Sequence, residues 1–254
     1  MSAPAAGTRW RLGDVPVDRV TFDEALEAIG QMIRRGEGGA VYTPNVDHVV
    51  LAREHEGLRR AYQEVDLSVA DGMPVVWASR LLGAPVPEKI SGSDLVPRLM
   101  GRAEQEGWRV YLLGGGPGVA VRAADMLRVS HPRLSVVGAT SPRIEMTDGP
   151  AVHAALMAGV REVAPHVVLV GLGAPKQELF IHQVRRSLRP AVLLGVGATL
   201  DFMAGVVPRA PRWISSAGLE WAYRLAREPR RMWRRYLVRD PRFVSIVVRD
   251  LVRS

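Results

Sequence analysis

Short polar side chains follow two predicted strands at the point where each strand ends. Thr43 and Asn45 come directly after the apolar run 40–42, and Asp71 comes directly after the apolar run 67–70. In an open α/β sheet, ligands bind at the carboxyl ends of the strands, and a carboxylate placed there can act as a general base when its surroundings tune it. Taken alone, each segment is better explained as a helix cap, because Thr, Asn and Asp before a helix usually cap it.

Two further loops carry groups that suit a phosphate. Lys89 precedes the Ser-Gly-Ser-Asp segment 91–94, and a cation near hydroxyls and a glycine can hold a phosphate, although a surface loop running into a capped helix fits equally well. Gly114 and Gly115 begin a glycine-rich loop between a predicted strand and a predicted helix, where the backbone can approach a phosphate. Pro117 breaks the dinucleotide fingerprint, and the Lys-Ser/Thr ending of a Walker A loop is missing. The loop therefore supports nucleotide binding only in general, and a plain strand–helix turn is an equal alternative.

The most specific segment combines a glycine turn with three long polar residues. Gly173 follows a predicted strand, and Lys176, Gln177 and Glu178 begin a predicted helix. A turn explains the glycine but not the consecutive polar side chains at the mouth of a sheet, so we predict a substrate site there. Lys176 can meet a phosphate, and Gln177 can bridge sugar hydroxyls. Asp201, one predicted strand later, suits a sugar or a base, with a capped loop as an equal alternative.

The excess positive charge of the chain lies in its last segment, 208–254. This segment holds 12 of the 34 basic residues and 4 of the 26 acidic ones, a difference of +8 that equals the formal net charge of the whole chain. Its arginines, Arg224, Arg231 and Arg234 among them, recur at helical spacing between aromatic residues. A solvated basic face is the plain interpretation. We favour an interfacial helix on anionic lipid and expect some arginines to clamp a pyrophosphate as well.

Several classes of site and segment are excluded or disfavoured. The absence of cysteine excludes disulfides, thiolate metal sites and cysteine nucleophiles. The six histidines and the acidic residues show no metal-ligand spacing, so we expect no metal. We find neither a signal peptide nor an apolar run of roughly 20 residues. We therefore expect a cytoplasmic protein that can still lie on a membrane.

Alternating strands and helices must position these side chains. Residues 39–207 alternate short apolar runs with stretches of helical length, which predicts a Rossmann-like α/β fold with a mostly parallel sheet and flanking helices. Residues 10–38 predict a small β/α element. We therefore predict an α/β catalytic domain over 1–207 and a basic appendage of two or three short helices over 208–254.

In this order, the segments resemble the WecG/TagA/CpsF glycosyltransferase family. The resemblance runs from about Trp10 to Phe243, and its most distinctive parts are the polar helix start and the tail. The motifs that carry it include Thr43-Pro44-Asn45, Ala70-Asp71-Gly72, Leu113-Gly114-Gly115, Gly171-Leu172-Gly173, Pro175-Lys176-Gln177-Glu178, Asp201-Phe202, Tyr223-Arg224-Leu225, Glu228-Pro229-Arg230-Arg231 and Arg234-Arg235-Tyr236.

The resemblance implies an inverting glycosyltransferase that needs neither a metal nor another cofactor. It implies transfer of N-acetylmannosamine, or a related sugar, from a UDP-sugar to an undecaprenyl-diphosphate-linked acceptor in teichoic-acid, exopolysaccharide or other cell-wall synthesis. It also implies a role for each matched residue: Asp71 as the general base, Thr43, Asn45 and Gln177 around the sugars, and Arg224, Arg231 and Arg234 as tail cations that neutralise the diphosphate leaving group. Lys89 departs from the family pattern, which usually has arginine there, so the bidentate fork is lost.

The implied partners are a UDP-sugar donor, a polyprenyl-diphosphate-linked acceptor and the anionic inner face of the plasma membrane. The resemblance also implies that the body self-associates when the tail is undocked. A different nucleotide-dependent Rossmann-like enzyme would need an acid about 20 residues after the glycine loop, but Arg133 and Leu134 stand there. A basic nucleic-acid module is the other alternative, and it predicts affinity that falls steeply with salt. We expect no nucleic acid.

Overall fold

A parallel sheet forms the centre of the molecule. The structure, a computed structural model, describes residues 9–145, 149–211, 214–215 and 218–253, without the side chains of Pro150, Ala154 and Arg231. Two short antiparallel strands, β1 (Arg9–Leu12) and β2 (Val15–Asp18), come first. The other strands are β3 (Gly39–Tyr42), β4 (Leu67–Ser68), β5 (Arg109–Gly114), β6 (Ser135–Thr140), β7 (Val167–Gly171) and β8 (Val192–Gly195). They form one sheet in the order β4-β3-β8-β7-β5-β6, with every neighbouring pair parallel.

Helices cover both faces of this sheet. In chain order they are α1 (Phe22–Arg35), α2 (Val46–Glu54), α3 (Glu56–Gln63), α4 (Met73–Leu81), α5 (Gly92–Glu106), α6 (Val119–Ser130), α7 (Pro150–Glu162), α8 (Lys176–Val184) and α9 (Thr199–Met203). Successive strand residues point to opposite faces: Ala40 and Tyr42 join one buried apolar cluster, and Val41 joins the other. The strands are therefore buried on both faces, and the predicted α/β class is confirmed.

Local signals in the sequence set the ends of α1. Thr21 and Glu24 form a capping box at its start, in which each side chain accepts from the backbone N–H of the other residue. Gly36 ends the helix with φ 66°, in the left-handed region that favours glycine.

The C-terminal segment folds back onto the body. It contains α10 (Glu220–Arg227), α11 (Pro229–Trp233), a π-helical turn π1 (Arg234–Arg239) and α12 (Arg242–Arg253). On α12, Phe243, Ile246 and Val247 are buried in the same apolar cluster as Leu12 of β1. Asp250 accepts a hydrogen bond from the Gly13 N–H at 2.7 Å. The tail and the body thus share one apolar core, and separate action of 208–254 as a domain stays a prediction.

Candidate active site

A small polar cavity lies at the carboxyl end of the sheet. It has a volume of about 120 Å³ and is lined by the loops that follow β3, β4, β7 and β8, together with the start of α5. Thr43, Asn45, Asp71, Gly173 and Gln177 all line it. Because the carboxyl ends of parallel strands meet at one edge, residues that lie far apart in the chain converge here as the sequence predicts.

A larger cavity of about 480 Å³ lies between the body and the tail. Met73 and Pro74 line it from α4, and Trp221, Tyr236 and Phe243 line it from the tail. Apolar and aromatic side chains therefore form much of its wall.

The two cavities meet at a small group of charged and polar residues. Five residues line both: Asn45, Asp71, Glu220, Arg224 and Arg235. A molecule in the larger cavity and another in the smaller one would therefore both reach Asp71.

The surroundings of Asp71 make its carboxyl group a stronger base than usual. Burial, followed by the negative charge of Glu220, raises its pKa to about 7, against the opposing effects of Lys89 and His48. A carboxylate with a pKa near neutrality is suited to remove a proton from a hydroxyl during reaction, since general bases work best near the operating pH.

Asn45 both caps a helix and faces the cavities. Its Oδ1 accepts from the Asp47 N–H at 3.1 Å, which caps α2. The same oxygen accepts from Nη2 of Arg235 at 3.1 Å. Thr43 donates to the Gly195 carbonyl at 3.4 Å, joining the ends of β3 and β8. Asn45 can therefore cap the helix and form part of the site at the same time.

The two arginines at the junction differ in their partners. The Arg235 side chain is held by the body, because its Nη2 donates to Asn45 and its Nε lies 3.4 Å from Oδ2 of Asp47. Asp47 also accepts from Arg239 at 2.7 Å. Nε of Arg224 and Nε of Arg235 are both buried without a hydrogen-bond partner in the described part of the chain, but Arg235 has the ion pair with Asp47. Arg224 is therefore placed to meet an anion that occupies the junction.

Arg234, another predicted tail arginine, lines neither cavity. Arg234 is exposed, and its guanidinium stacks over the Trp233 ring at 5.4 Å. Arg231 lies in α11, but its side chain falls outside the described residues. Arg235 lines both cavities, whereas Arg234 lines neither, and the predicted role of Arg234 at the leaving group stays a prediction.

Gln177 and Glu178 form the wall behind the small cavity. Gln177 donates from Nε2 to Oε1 of Glu178 at 2.7 Å and accepts from the Gly197 N–H at 2.9 Å. Glu178 is fully buried, with Oε1 3.2 Å from Nε2 of His48. Glu178 lines neither cavity and instead orients its neighbours, so its predicted substrate contact has no support from position and stays a prediction. Sequence reasoning missed His48, although it stands directly beside the Thr43–Asn45 motif.

Lys176 and the glycine loop line neither cavity. Lys176 donates to the Ile144 carbonyl at 3.2 Å and lies 3.4 Å from Oε2 of Glu145. A Cβ on Gly114 would come 2.5 Å from the Gly171 carbonyl oxygen, because the ends of β5 and β7 approach closely there. A Cβ on Gly115 would collide with Val119. The plain-turn interpretation therefore explains these glycines, and a phosphate role for the three residues has no support in the geometry.

The last two predicted site residues, Lys89 and Asp201, differ in whether they line a cavity. Lys89 lines the larger cavity, donates to Oγ of Ser215 at 3.1 Å and lies 3.5 Å from Oδ2 of Asp94. Asp201 lines neither cavity, and its backbone carbonyl accepts from the Val206 N–H in the turn after α9. Its predicted contact with a sugar or base is thus not supported by position.

Across the described ranges, no group of three or more His, Asp or Glu side chains could hold a metal ion. That the reaction needs neither a metal nor another cofactor stays a prediction.

Comparison with known proteins identifies both a family and a similar enzyme. A model described as the glycosyl transferase WecG/TagA/CpsF family matches residues 10–254. The chain is also similar to the N-acetylglucosaminyldiphosphoundecaprenol N-acetyl-beta-D-mannosaminyltransferase of Bacillus spizizenii. The two are 31% identical over 222 residues, which is 85% of this chain and 80% of that protein.

Proposed function

Since the chain belongs to the WecG/TagA/CpsF family of glycosyltransferases, we propose that it transfers N-acetylmannosamine, or a related sugar, from a UDP-sugar to a sugar on undecaprenyl diphosphate. The relative from Bacillus spizizenii is named as an N-acetylmannosaminyltransferase that acts on N-acetylglucosaminyldiphosphoundecaprenol. The observation that carries the proposal is the position of Asp71, at the junction of a polar cavity and an apolar one. A sugar-nucleotide donor is polar and the lipid of the acceptor is apolar, so the two cavities match the two substrates.

The smaller cavity suits the donor sugar. Thr43, Asn45 and the backbone near Gly173 supply short hydrogen-bonding groups around it. The larger cavity suits the head of the acceptor, because its aromatic and apolar walls match the first part of a prenyl chain. Its volume of about 480 Å³ is within the range of small-molecule sites, so the remainder of the lipid would lie outside it.

The chemistry is a single displacement at the anomeric carbon. Asp71 takes the proton of the acceptor hydroxyl while that oxygen forms a bond to the anomeric carbon. The bond from this carbon to the diphosphate oxygen breaks, and UDP leaves with the electron pair. One displacement inverts the anomeric centre. Arg224 stabilises the negative charge that develops on the leaving diphosphate, the role that a preorganised cation plays at such a site.

Acceptor-dependent release of UDP tests this function. The purified protein is incubated with UDP-N-acetylmannosamine, UDP-N-acetylglucosamine or UDP-glucose, with and without a short-chain lipid-diphosphate-N-acetylglucosamine. We expect UDP release that requires the acceptor, with the first donor favoured. Failure of all three donors would overturn the proposal. Salt-sensitive binding of nucleic acid without any turnover would instead support the nucleic-acid alternative.

The tail provides a surface suited to a membrane. Leu237 is 59% exposed and Trp233 is 44% exposed, and both lie beside the exposed Arg234. Apolar side chains next to cations favour the interface of an anionic bilayer. None of the helices in the described ranges has both the length and the apolar character needed to span a bilayer. We propose peripheral binding at the cytoplasmic face of the plasma membrane, and self-association of the body when the tail is undocked.

Replacing the exposed apolar residues of the tail is expected to weaken membrane binding. The double variant Trp233→Ser, Leu237→Ser should lower the fraction that sediments with phosphatidylglycerol vesicles at least about tenfold, since burying each side chain contributes roughly 1.5–3 kcal/mol. The matched control is Met126→Ser, Val129→Ser on α6, which removes two exposed apolar side chains from the body. Equal sedimentation of both double variants and the unaltered protein would exclude this surface as the membrane contact.

A further inference from the structure

A second carboxylate lies at the junction of the two cavities, and the proposed transfer does not yet use it. Glu220, the first residue of α10, lines both cavities together with Asp71. Asp71 comes from the body and Glu220 comes from the tail. The pair of carboxylates therefore exists only while the tail is docked.

A chain of hydrogen bonds fixes the Glu220 side chain against the body. Oγ of Ser215 donates to Oε2 of Glu220 at 3.0 Å. The same hydroxyl accepts from Nζ of Lys89 at 3.1 Å, and Lys89 is held in turn by Asp94. Through Ser215, a cation of the body thus sets the position of an acidic side chain of the tail.

The backbone before α10 supports the same placement. Gly218 adopts a φ of 74°, and a Cβ at this position would lie 3.0 Å from the Trp77 ring and 3.2 Å from the Met73 side chain. Only glycine combines this conformation with such a close approach. The start of α10 is therefore packed directly against α4, the helix that follows Asp71.

From this juxtaposition we propose that Glu220 is a positioning residue for the transfer reaction, which the tail places beside Asp71 through Ser215 and Lys89 to complete the acid–base site. The inference rests on the proposed function. The proton moves from the acceptor hydroxyl to Asp71, as in the displacement described above. Glu220 neither accepts this proton nor forms a bond to the sugar, and it acts through its charge and its position.

The charges around Asp71 support this role. Glu220 and Asp94 raise the pKa of Asp71, while Lys89 and His48 lower it. Arg235 from π1 and the buried Tyr62 also interact with Asp71. Burial is the largest cause of the raised pKa, and Glu220 is the largest contribution from a charged group. Within the docked tail, Glu220 therefore strengthens the base, against the opposing positive charge of Arg235.

The pH dependence of turnover tests the inference. In Glu220→Gln, the side chain keeps its size but loses its charge, so the acidic limb of acceptor-dependent kcat should move down by about half a unit to one unit of pH. In Lys89→Met, a positive charge near Asp71 is removed, and the limb should move up. Ser215→Ala, which keeps both charges but frees Glu220, should move the limb down by less than Glu220→Gln does.

The control is Glu162→Gln, which removes the same charge from the exposed end of α7 and should leave the limb in place. Circular dichroism and thermal melting establish that each variant is folded. If the unaltered protein turns over but its acidic limb coincides with that of Glu220→Gln, the inference is overturned and the proposed function stands. If the unaltered protein turns over no donor, the proposed function itself is overturned.

Discussion

Asp71→Asn is expected to lower acceptor-dependent UDP release by about 10²–10⁴-fold, the range that a positioned general base contributes. Asparagine keeps the size of the side chain but cannot take the acceptor proton. Because the pKa of Asp71 is raised to about 7, turnover of the unaltered protein should rise with pH through about 7, as the carboxyl group loses its proton. The residual turnover of Asp71→Asn should lack this rise. Initial rates between pH 5 and 9 measure both effects.

The same substitution has an expected effect on stability that does not depend on turnover. Between the ordinary pKa of 3.8 and the folded value of about 7, the native state binds more protons at Asp71 than the unfolded state does. Stability is therefore highest below this window and falls as pH rises through it. Asp71→Asn has no such loss, so it should melt at a higher temperature than the unaltered protein at pH 8.

Asp125→Asn provides the control for both measurements, because Asp125 is an exposed residue of α6 that pairs with Arg128 on the same helix. It should change neither turnover nor the pH dependence of melting. Near-normal activity of Asp71→Asn would remove Asp71 as the base. Identical melting of Asp71→Asn and the unaltered protein at pH 8 would contradict the raised pKa.

The architecture could be predicted because strand burial leaves a direct mark on the sequence. The segment Val167–Gly171 is apolar or glycine throughout, as a strand covered on both faces requires, and all five of its residues are buried. Once the sheet is parallel, the ends of its strands must share one edge. That constraint brings Thr43, Asn45, Asp71 and Gly173 together without any knowledge of side-chain contacts.

The parts of the site that could not be predicted depend on contacts between distant segments. A glycine is needed at position 114 because the backbone of β7 passes close to it. The residues next to Gly114 in the sequence give no sign of this approach. Glu178 follows Gln177 directly, but successive helical residues face about 100° apart, and so Glu178 faces His48 behind the cavity wall.

The sequence was sufficient to predict that the tail belongs to the site, but it was not sufficient to predict which tail arginines face the site. Arg224, Arg231 and Arg234 were chosen from the resemblance of their motifs, which does not show how the residues of π1 are oriented. Arg235 reaches Asn45, while the adjacent Arg234 remains exposed on the surface. Glu220 was given no role, because the docking of α10 against α4 is a tertiary contact that the sequence does not show.

Arg224→Ala is expected to lower kcat by about 10²–10³-fold, the loss measured when one group that stabilises developing charge is removed. The buried Nε of Arg224 has no partner in the described part of the chain, so its hydrogen-bonding capacity is available to the leaving diphosphate. Arg224→Lys keeps the charge but not the planar fork, and should recover only part of the loss. Initial rates at saturating donor and acceptor separate kcat from KM.

Arg227→Ala is the matched control, because Arg227 lies on the same helix, is exposed, and packs over the Tyr223 ring at 5.5 Å. It should change kcat by no more than a few-fold. Equal losses in the two alanine variants would mean that the charge of the tail acts only through the membrane. If turnover instead required an added divalent ion and stopped on chelation, the stabilising charge would belong to a metal. With Arg224 as the cation, chelation leaves the rate unchanged. In that case the site is active only while α10 is docked, because α10 carries both Arg224, which neutralises the leaving group, and Glu220, which strengthens the base.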